Sequence, residues 1–326
     1  MIGSPTPEME DGSVSKSVAV IACTAMSFFY VAILYSPTLI LRLPPPTSLN
    51  NFMIRRFICA LVSSILSIFI SALILPIRSW EASSLFGVYG IRVDHLWHAL
   101  VFPISVTSLL YAGSLVSKSL LLVNSWKEQK DHGRGYPFDG IKIVSQRFLD
   151  WITSIASSVL AWRNYVVAPL TEELVFRACM IPLLLCGGFK TYNAIFLSSI
   201  FFSLAHLNHF LELYSQQNYS FLKASMVVGL QLGYTVIFGS YASFLFIRSG
   251  HLLAPIVAHA FCNIMGLPVL SSRRKGVSLT AVRGDLTMVR LWLRLESPYF
   301  YTRARKICIC WGGMSAKPVF TRIVFT

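Results

Sequence analysis

The sequence predicts an all-α, polytopic integral membrane protein with about seven or eight transmembrane helices around a polar cavity. Three observations predict it. Hydrophobic residues make up 55% of the 326-residue chain and charged ones only 13%, where a soluble domain carries about a quarter charged residues. Apolar runs near the roughly 20 residues needed to span a bilayer recur along it. Those runs are continuous rather than alternating, which argues against a β-barrel.

Taken in order, the runs are 18–35, 57–76, 96–123, 151–170, 174–187, 194–210, 222–247 and 251–270. The first follows an acidic stretch (Glu8, Glu10, Asp11) and lacks a small-x-small cleavage site, so it reads as a retained helix rather than a signal peptide. Basic residues sit between the first two runs (Arg42, Arg55, Arg56) and after the third (Lys127, Lys130, Arg134, Lys142, Arg147), whereas Arg78 and Arg92 alone lie between. The positive-inside rule places the amino terminus outside or in the lumen and the 127–147 loop in the cytosol.

The composition shifts define five regions. Residues 1–16 read as a disordered polar leader and 17–123 as three membrane helices with a Pro44-Pro45-Pro46 connection. Residues 124–140 form a charged, turn-rich cytosolic loop, 141–270 a membrane core, and 271–326 a basic tail in which arginines interrupt every apolar run. That tail carries eleven Lys/Arg against two acids, +9 of the net +14. No folded module interleaves aromatic and basic residues, so the charge does not point to nucleic acid. The seven cysteines (23, 59, 179, 186, 262, 308, 310) include no CxxC pair, and most read as buried small hydrophobes. Asn218-Tyr219-Ser220 is a glycosylation sequon whose use depends on the side its loop faces.

Polar residues intrude into the apolar core at three places. The first is Glu172, Glu173 and Arg177; a charge at the bilayer centre costs about 2.5–3.5 kcal/mol on insertion scales. Glu173 and Arg177 stand i,i+4 with the acid first, the better orientation for a helical pair. Glu172 lies about 100° around the helix, free to act as a base, and Thr171 with Pro169 suits a helix start with Thr171 as N-cap. The second place is His206, with His209 three residues on; the third is His259 with Asn263, i,i+4 on one face. Asp94-His95-His98 reads as an interfacial helix start.

Three helices carrying Glu, His and His/Asn are explained economically by convergence on one cavity. Glu172 with His206 can polarise water, and His259 with Asn263 can hold an oxyanion, the two requirements of peptide hydrolysis. No serine or cysteine stands beside a base as a nucleophile. A zinc site built from two His and a Glu is a competing reading, although HExxH is absent. So is a purely structural ion network in a non-catalytic membrane scaffold. A transporter is disfavoured by the lack of an inverted repeat.

Glu172-Glu173-x-x-x-Arg177, Phe202-x-x-x-His206 and His259-x-x-x-Asn263, in that order on successive apolar helices, resemble the type II CAAX prenyl endopeptidases. These are the Ras-converting proteases of the ABI (CPBP) membrane family. The resemblance covers roughly 150–270, so the 141–270 core is the catalytic one, and the upstream helices fit eukaryotic members such as those of plants. It implies a multi-pass endoplasmic reticulum enzyme that removes the last three residues of prenylated CAAX proteins such as small GTPases, without a metal or other cofactor. It further implies Glu172 as general base with His206 as its partner, His259 and Asn263 as the oxyanion hole, and Glu173 and Arg177 in support. The prenyl chain would enter from the bilayer, with the cavity open to the cytosol. Family members continue past the His259 helix with another apolar segment, so 271–326 reads as an alternative carboxy terminus.

Overall fold

A computed structural model describes residues 14–76, 86–131 and 137–266. The leader up to residue 13, the cysteines at 308 and 310, and the 271–326 tail lie outside the described residues.

Every long element among the described residues is a helix. Helix α1 (Lys16–Ala32) starts where the Ser15 hydroxyl accepts the Val18 N–H at 3.2 Å, and α2 (Leu49–Ile74) where the Ser48 hydroxyl accepts the Asn51 N–H at 3.2 Å. Each hydroxyl satisfies one of the orphan donors of a first turn. Both helices turn small or polar residues inward: Ala19, Ala22, Cys23 and Met26 on α1, and Ala60, Ser63, Ser64, Ser67 and Ser71 on α2. Their large apolar side chains, such as Phe28, Ile58, Ile65 and Phe69, face outward. In lipid, where no hydrophobic drive brings helices together, small residues at the contacts let backbones approach closely. The exposed apolar surface is the part left for acyl chains.

After the second span come α3 (Leu96–Leu110) and α4 (Ala112–Asp131), followed by α5 (Pro137–Ser157). The loop expected over 124–140 is therefore narrower than its composition implied. Lys127 to Lys130 are good helix formers and carry α4 to Asp131, and Pro137 opens α5 at a position that needs no N–H.

Next come α6 (Val159–Trp162), α7 (Ala168–Glu173) and α8 (Met180–Cys186), joined by π turns Arg163–Val167 and Leu174–Cys179. Each π turn precedes a proline in the helix that follows it, Pro169 or Pro182. A proline removes an N–H and crowds the carbonyl four residues back, and one extra residue per turn relieves that crowding. Thr171 lies inside this run and caps nothing. Because the helix is already under way at Val159, the Thr171 hydroxyl donates back to the Val167 carbonyl at 2.8 Å and meets the Tyr30 hydroxyl at 3.1 Å.

The chain then forms α9 (Thr191–Leu204), a 3₁₀ turn (Ala205–Leu207), α10 (Asn208–Leu211), a π turn (Glu212–Gln216), α11 (Phe221–Ser249) and α12 (Leu253–Met265). Helices α9 and α11 touch at Gly239, where a Cβ would lie 3.1 Å from Ser199 Cα and Cβ. The α7–α8 run is enclosed by the others: Val175, Phe176, Ala178, Cys179, Met180, Leu183 and Leu184 are fully buried.

Four described helical stretches are long and apolar enough to span a membrane: Lys16–Thr38, Leu49–Ile74, Thr191–Ser215 and Phe221–Ser249. The bent pair Leu96–Leu110 and Ala112–Leu121 makes a fifth. The expected count of about seven or eight membrane helices is not confirmed among the described residues. Two expected runs, 151–170 and 174–187, became the end of α5 and the α6–α8 segment, which is broken by π turns and carries Arg163, Glu172, Glu173 and Arg177. Another became α12, whose 13 residues rise only about 20 Å.

Two faces result. On one, Lys16 lies over the Phe189 ring beyond α8, and Leu252 N–H donates to the Gly90 carbonyl. On the other, Arg56 meets Glu212, and the Tyr111 hydroxyl donates to the Gly266 carbonyl at the end of α12 at 2.6 Å. The second face carries the basic segment that holds Arg42, Arg55 and Arg56.

Candidate active site

Glu173 and Arg177 are both fully buried. Arg177 Nε stands 3.1 Å from Glu173 Oε2, and its Nη1 donates to Oε1 at 3.2 Å. The π turn keeps the two residues on one face. Arg177 Nη2 donates to the Gly239 carbonyl at 3.4 Å, and the guanidinium lies 4.4 Å from the Phe202 ring centroid. A weakly hydrated planar cation suits that aromatic face.

Helix α12 supplies the next contact. His259 Nδ1 donates to Glu173 Oε1 at 2.7 Å, and its Nε2 points to Glu172 Oε2 at 3.9 Å, outside hydrogen-bonding range. Phe238 packs edge-on against the imidazole, ring centroids 4.7 Å apart. Glu173 is therefore shared by an arginine and a histidine from two helices, whereas Glu172 retains 17% side-chain exposure and has no hydrogen bond among the described residues. Glu173 is thus committed to Arg177 and His259, and Glu172 stays on the cavity wall.

Glu172 lines a cavity of about 110 Å³ together with His206, His209, Arg56, Arg163 and Tyr30. His206 sits where α9 gives way to the 3₁₀ turn, and its Nδ1 donates to the Phe202 carbonyl at 2.9 Å. That fixes the tautomer of a neutral ring and leaves Nε2 as an acceptor. His209 stacks on His206, centroids 5.9 Å apart, and its Nδ1 reaches Glu212 Oε2 at 3.3 Å.

Asn263 is placed differently. It is exposed, and its Nδ2 donates to the Asn164 carbonyl at 2.7 Å, tying the end of α12 to the first π turn. The structure thus brings Glu172 and His206 to one cavity and sets His259 behind Glu172. Asn263 stands one helical turn further toward the end of α12. Arg56, Arg163 and Tyr30 were not singled out from sequence. Tyr30 in an apolar run carries no signal; Arg56 reads as an ordinary juxtamembrane basic residue, and Arg163 is a single cation inside the 151–170 run.

Among the described residues, no three His, Cys, Asp or Glu side chains are grouped to hold a metal ion. Cys23, Cys59, Cys179 and Cys262 are buried free thiols, and Cys186 is half-buried. At the opposite face, Asp94 pairs with Arg92, whose guanidinium holds the carboxyl below the usual carboxylate range. His95 occupies the N-cap of α3 at φ 56°, so that cluster is a helix start.

An interior carboxylate thus stands beside a histidine-lined cavity within a multi-pass bundle of lipid-facing helices. Residues 154–265 match the family described as "Type II CAAX prenyl endopeptidase Rce1-like". The chain is 56% identical over 302 residues to "CAAX prenyl protease 2" of Arabidopsis thaliana, covering 92% of this chain and 96% of that protein. It is 33% identical over 256 residues to the human protein of the same name, covering 78% and 72%. No solved structure matches significantly. The chain belongs to the type II CAAX prenyl endopeptidase family and is a peptidase. A match covering 92% of the chain includes part of the 271–326 segment.

Proposed function

We propose that this chain removes the C-terminal aaX tripeptide from prenylated CAAX proteins, small GTPases among them, at the endoplasmic reticulum membrane. The observation that carries the mechanism is the meeting of Glu172 and His206 in one cavity from two separate helical segments.

Glu172 takes a proton from water as the oxygen attacks the carbonyl carbon of the prenylated cysteine. His206 Nε2, left as an acceptor by the Phe202 contact, orients that water. The new C–O bond places negative charge on the former carbonyl oxygen. His259 can serve that oxyanion through Nε2–H only when doubly protonated, since Nδ1 is committed to Glu173. Asn263 offers its second amide hydrogen, the first being held by Asn164. The C–N bond then breaks, and the proton held by Glu172 passes to the leaving amine. The products are a prenylcysteine carboxylate and a free tripeptide. A substrate anchored by its own lipid reaches a cavity open on the cytosolic face without leaving the bilayer.

The test is cleavage of a farnesylated CAAX peptide by membranes containing the full chain. Glu172→Ala and His206→Ala should each lower kcat by about 10²- to 10⁴-fold, the range of acid–base assistance. Full activity in either variant overturns the mechanism. Cleavage should survive exhaustive chelation, and loss that zinc restores would favour a metal-bound water instead.

A further inference from the structure

Two guanidiniums line the cavity that holds Glu172, and they differ in one respect. Arg56 Nη1 lies 3.3 Å from Glu212 Oε1, and Glu212 also takes His209. Arg163 is half-buried in the same wall and has no ion pair or hydrogen-bonded side-chain partner among the described residues. An uncompensated cation partly withdrawn from water, facing a reactive carboxylate, is a site for an anion.

Its position narrows which anion. Arg163 opens the first π turn, and Glu172 lies nine positions later on the same helical run. That separation is about 14 Å along the axis. Three extended residues span about 10 Å, and an arginine side chain covers the remainder. We infer that Arg163 binds the free α-carboxylate of the substrate's last residue, so that the Arg163-to-Glu172 distance selects the bond three residues from the end. This rests on the CAAX-peptidase reading above and adds a specificity-determining residue to it. The π turn has a part in this arrangement: its widened backbone leaves the Asn164 carbonyl to Asn263, anchoring the segment that carries Arg163 against α12. A planar guanidinium takes a carboxylate in two parallel hydrogen bonds, which a peptide amide or an internal carbonyl cannot match.

The experiment uses the full chain in membranes and two farnesylated peptides of one sequence, ending in a free carboxylate or a C-terminal amide. Wild type should favour the acid. Arg163→Gln should raise KM for the acid by about 10- to 100-fold, the range of one charge-assisted pair, with a much smaller change in kcat. It should also cleave acid and amide alike, and Arg163→Lys should restore part of the preference. Arg56→Gln should keep the preference, since Arg56 is already neutralised. The inference is overturned if Arg163→Gln retains the wild-type preference or if wild type shows none. Should Arg163→Gln fail to fold, the wild-type acid-to-amide comparison and Arg163→Lys decide. Absence of any cleavage by wild type, or undiminished cleavage by Glu172→Ala, would instead sink the underlying reading.

Discussion

His259 and Glu173 share a 2.7 Å hydrogen bond between helices 86 positions apart in sequence, and the accepting carboxylate is the one that holds Arg177. The two adjacent acids therefore differ in what their loss should do. Glu173→Gln leaves a fully buried guanidinium without its main counter-charge, a change that costs about 3–5 kcal/mol in comparable sites. Thermal unfolding in detergent should fall markedly for Glu173→Gln and little for Glu172→Gln, while cleavage is lost in both. Equal stability of the two variants would contradict the division.

Gly239 is the close-approach point of α9 and α11, and its carbonyl accepts from Arg177. The added methyl of Gly239→Ala would meet Ser199 backbone and side chain at 3.1 Å. Overpacking of this kind costs about 1–3 kcal/mol. A drop in unfolding temperature is expected, with partial loss of activity because Arg177 is displaced. An unchanged melting curve would mean the helices part freely.

Asn263→Ala separates two contributions. Removal of an oxyanion donor lowers kcat by about 10²- to 10³-fold, whereas loss of the exposed bond to Asn164 alters stability by about 1 kcal/mol. Steady-state kinetics should show a fall in kcat with KM nearly constant. A rise in KM alone would assign Asn263 to anchoring Arg163's segment instead.

Much of this was legible in the residues. Glu172, Glu173, Arg177, His206 and His259 are recognisable because ionisable groups stand out against an apolar background, and helical spacing separates the two acids. The rest depended on backbone detail that spacing does not carry. Thr171 looks like a cap beside Pro169, yet it sits mid-helix because the π turn absorbs the proline's demand. His259 and Asn263 share a periodicity, but the helix end sends one to Glu173 and the other to Asn164. Nothing in the sequence around Arg163 or Arg56 says which of the two is paired; only Glu212, far along the chain, tells them apart. Hydropathy likewise counts apolar runs and not the breaks that shorten them.

The sequon at Asn218 can be read once the faces are known. It follows the Glu212–Gln216 turn, which pairs with Arg56 in the basic segment that the positive-inside rule assigns to the cytosol. Asn218 should carry no glycan in membranes, and glycosidase treatment should leave electrophoretic mobility unchanged. A mobility shift abolished by Asn218→Gln would invert the orientation.

The Glu173–Arg177 pair closes within a single helical turn, whereas the His259 contact waits for a helix made much later in synthesis. The emerging segment can thus enter the bilayer with those two charges already matched. Hydrolytic competence has no such head start. Under the proposed mechanism it needs residue 259 translated and docked, so an unfinished chain would hold the two acids without the histidine that meets them.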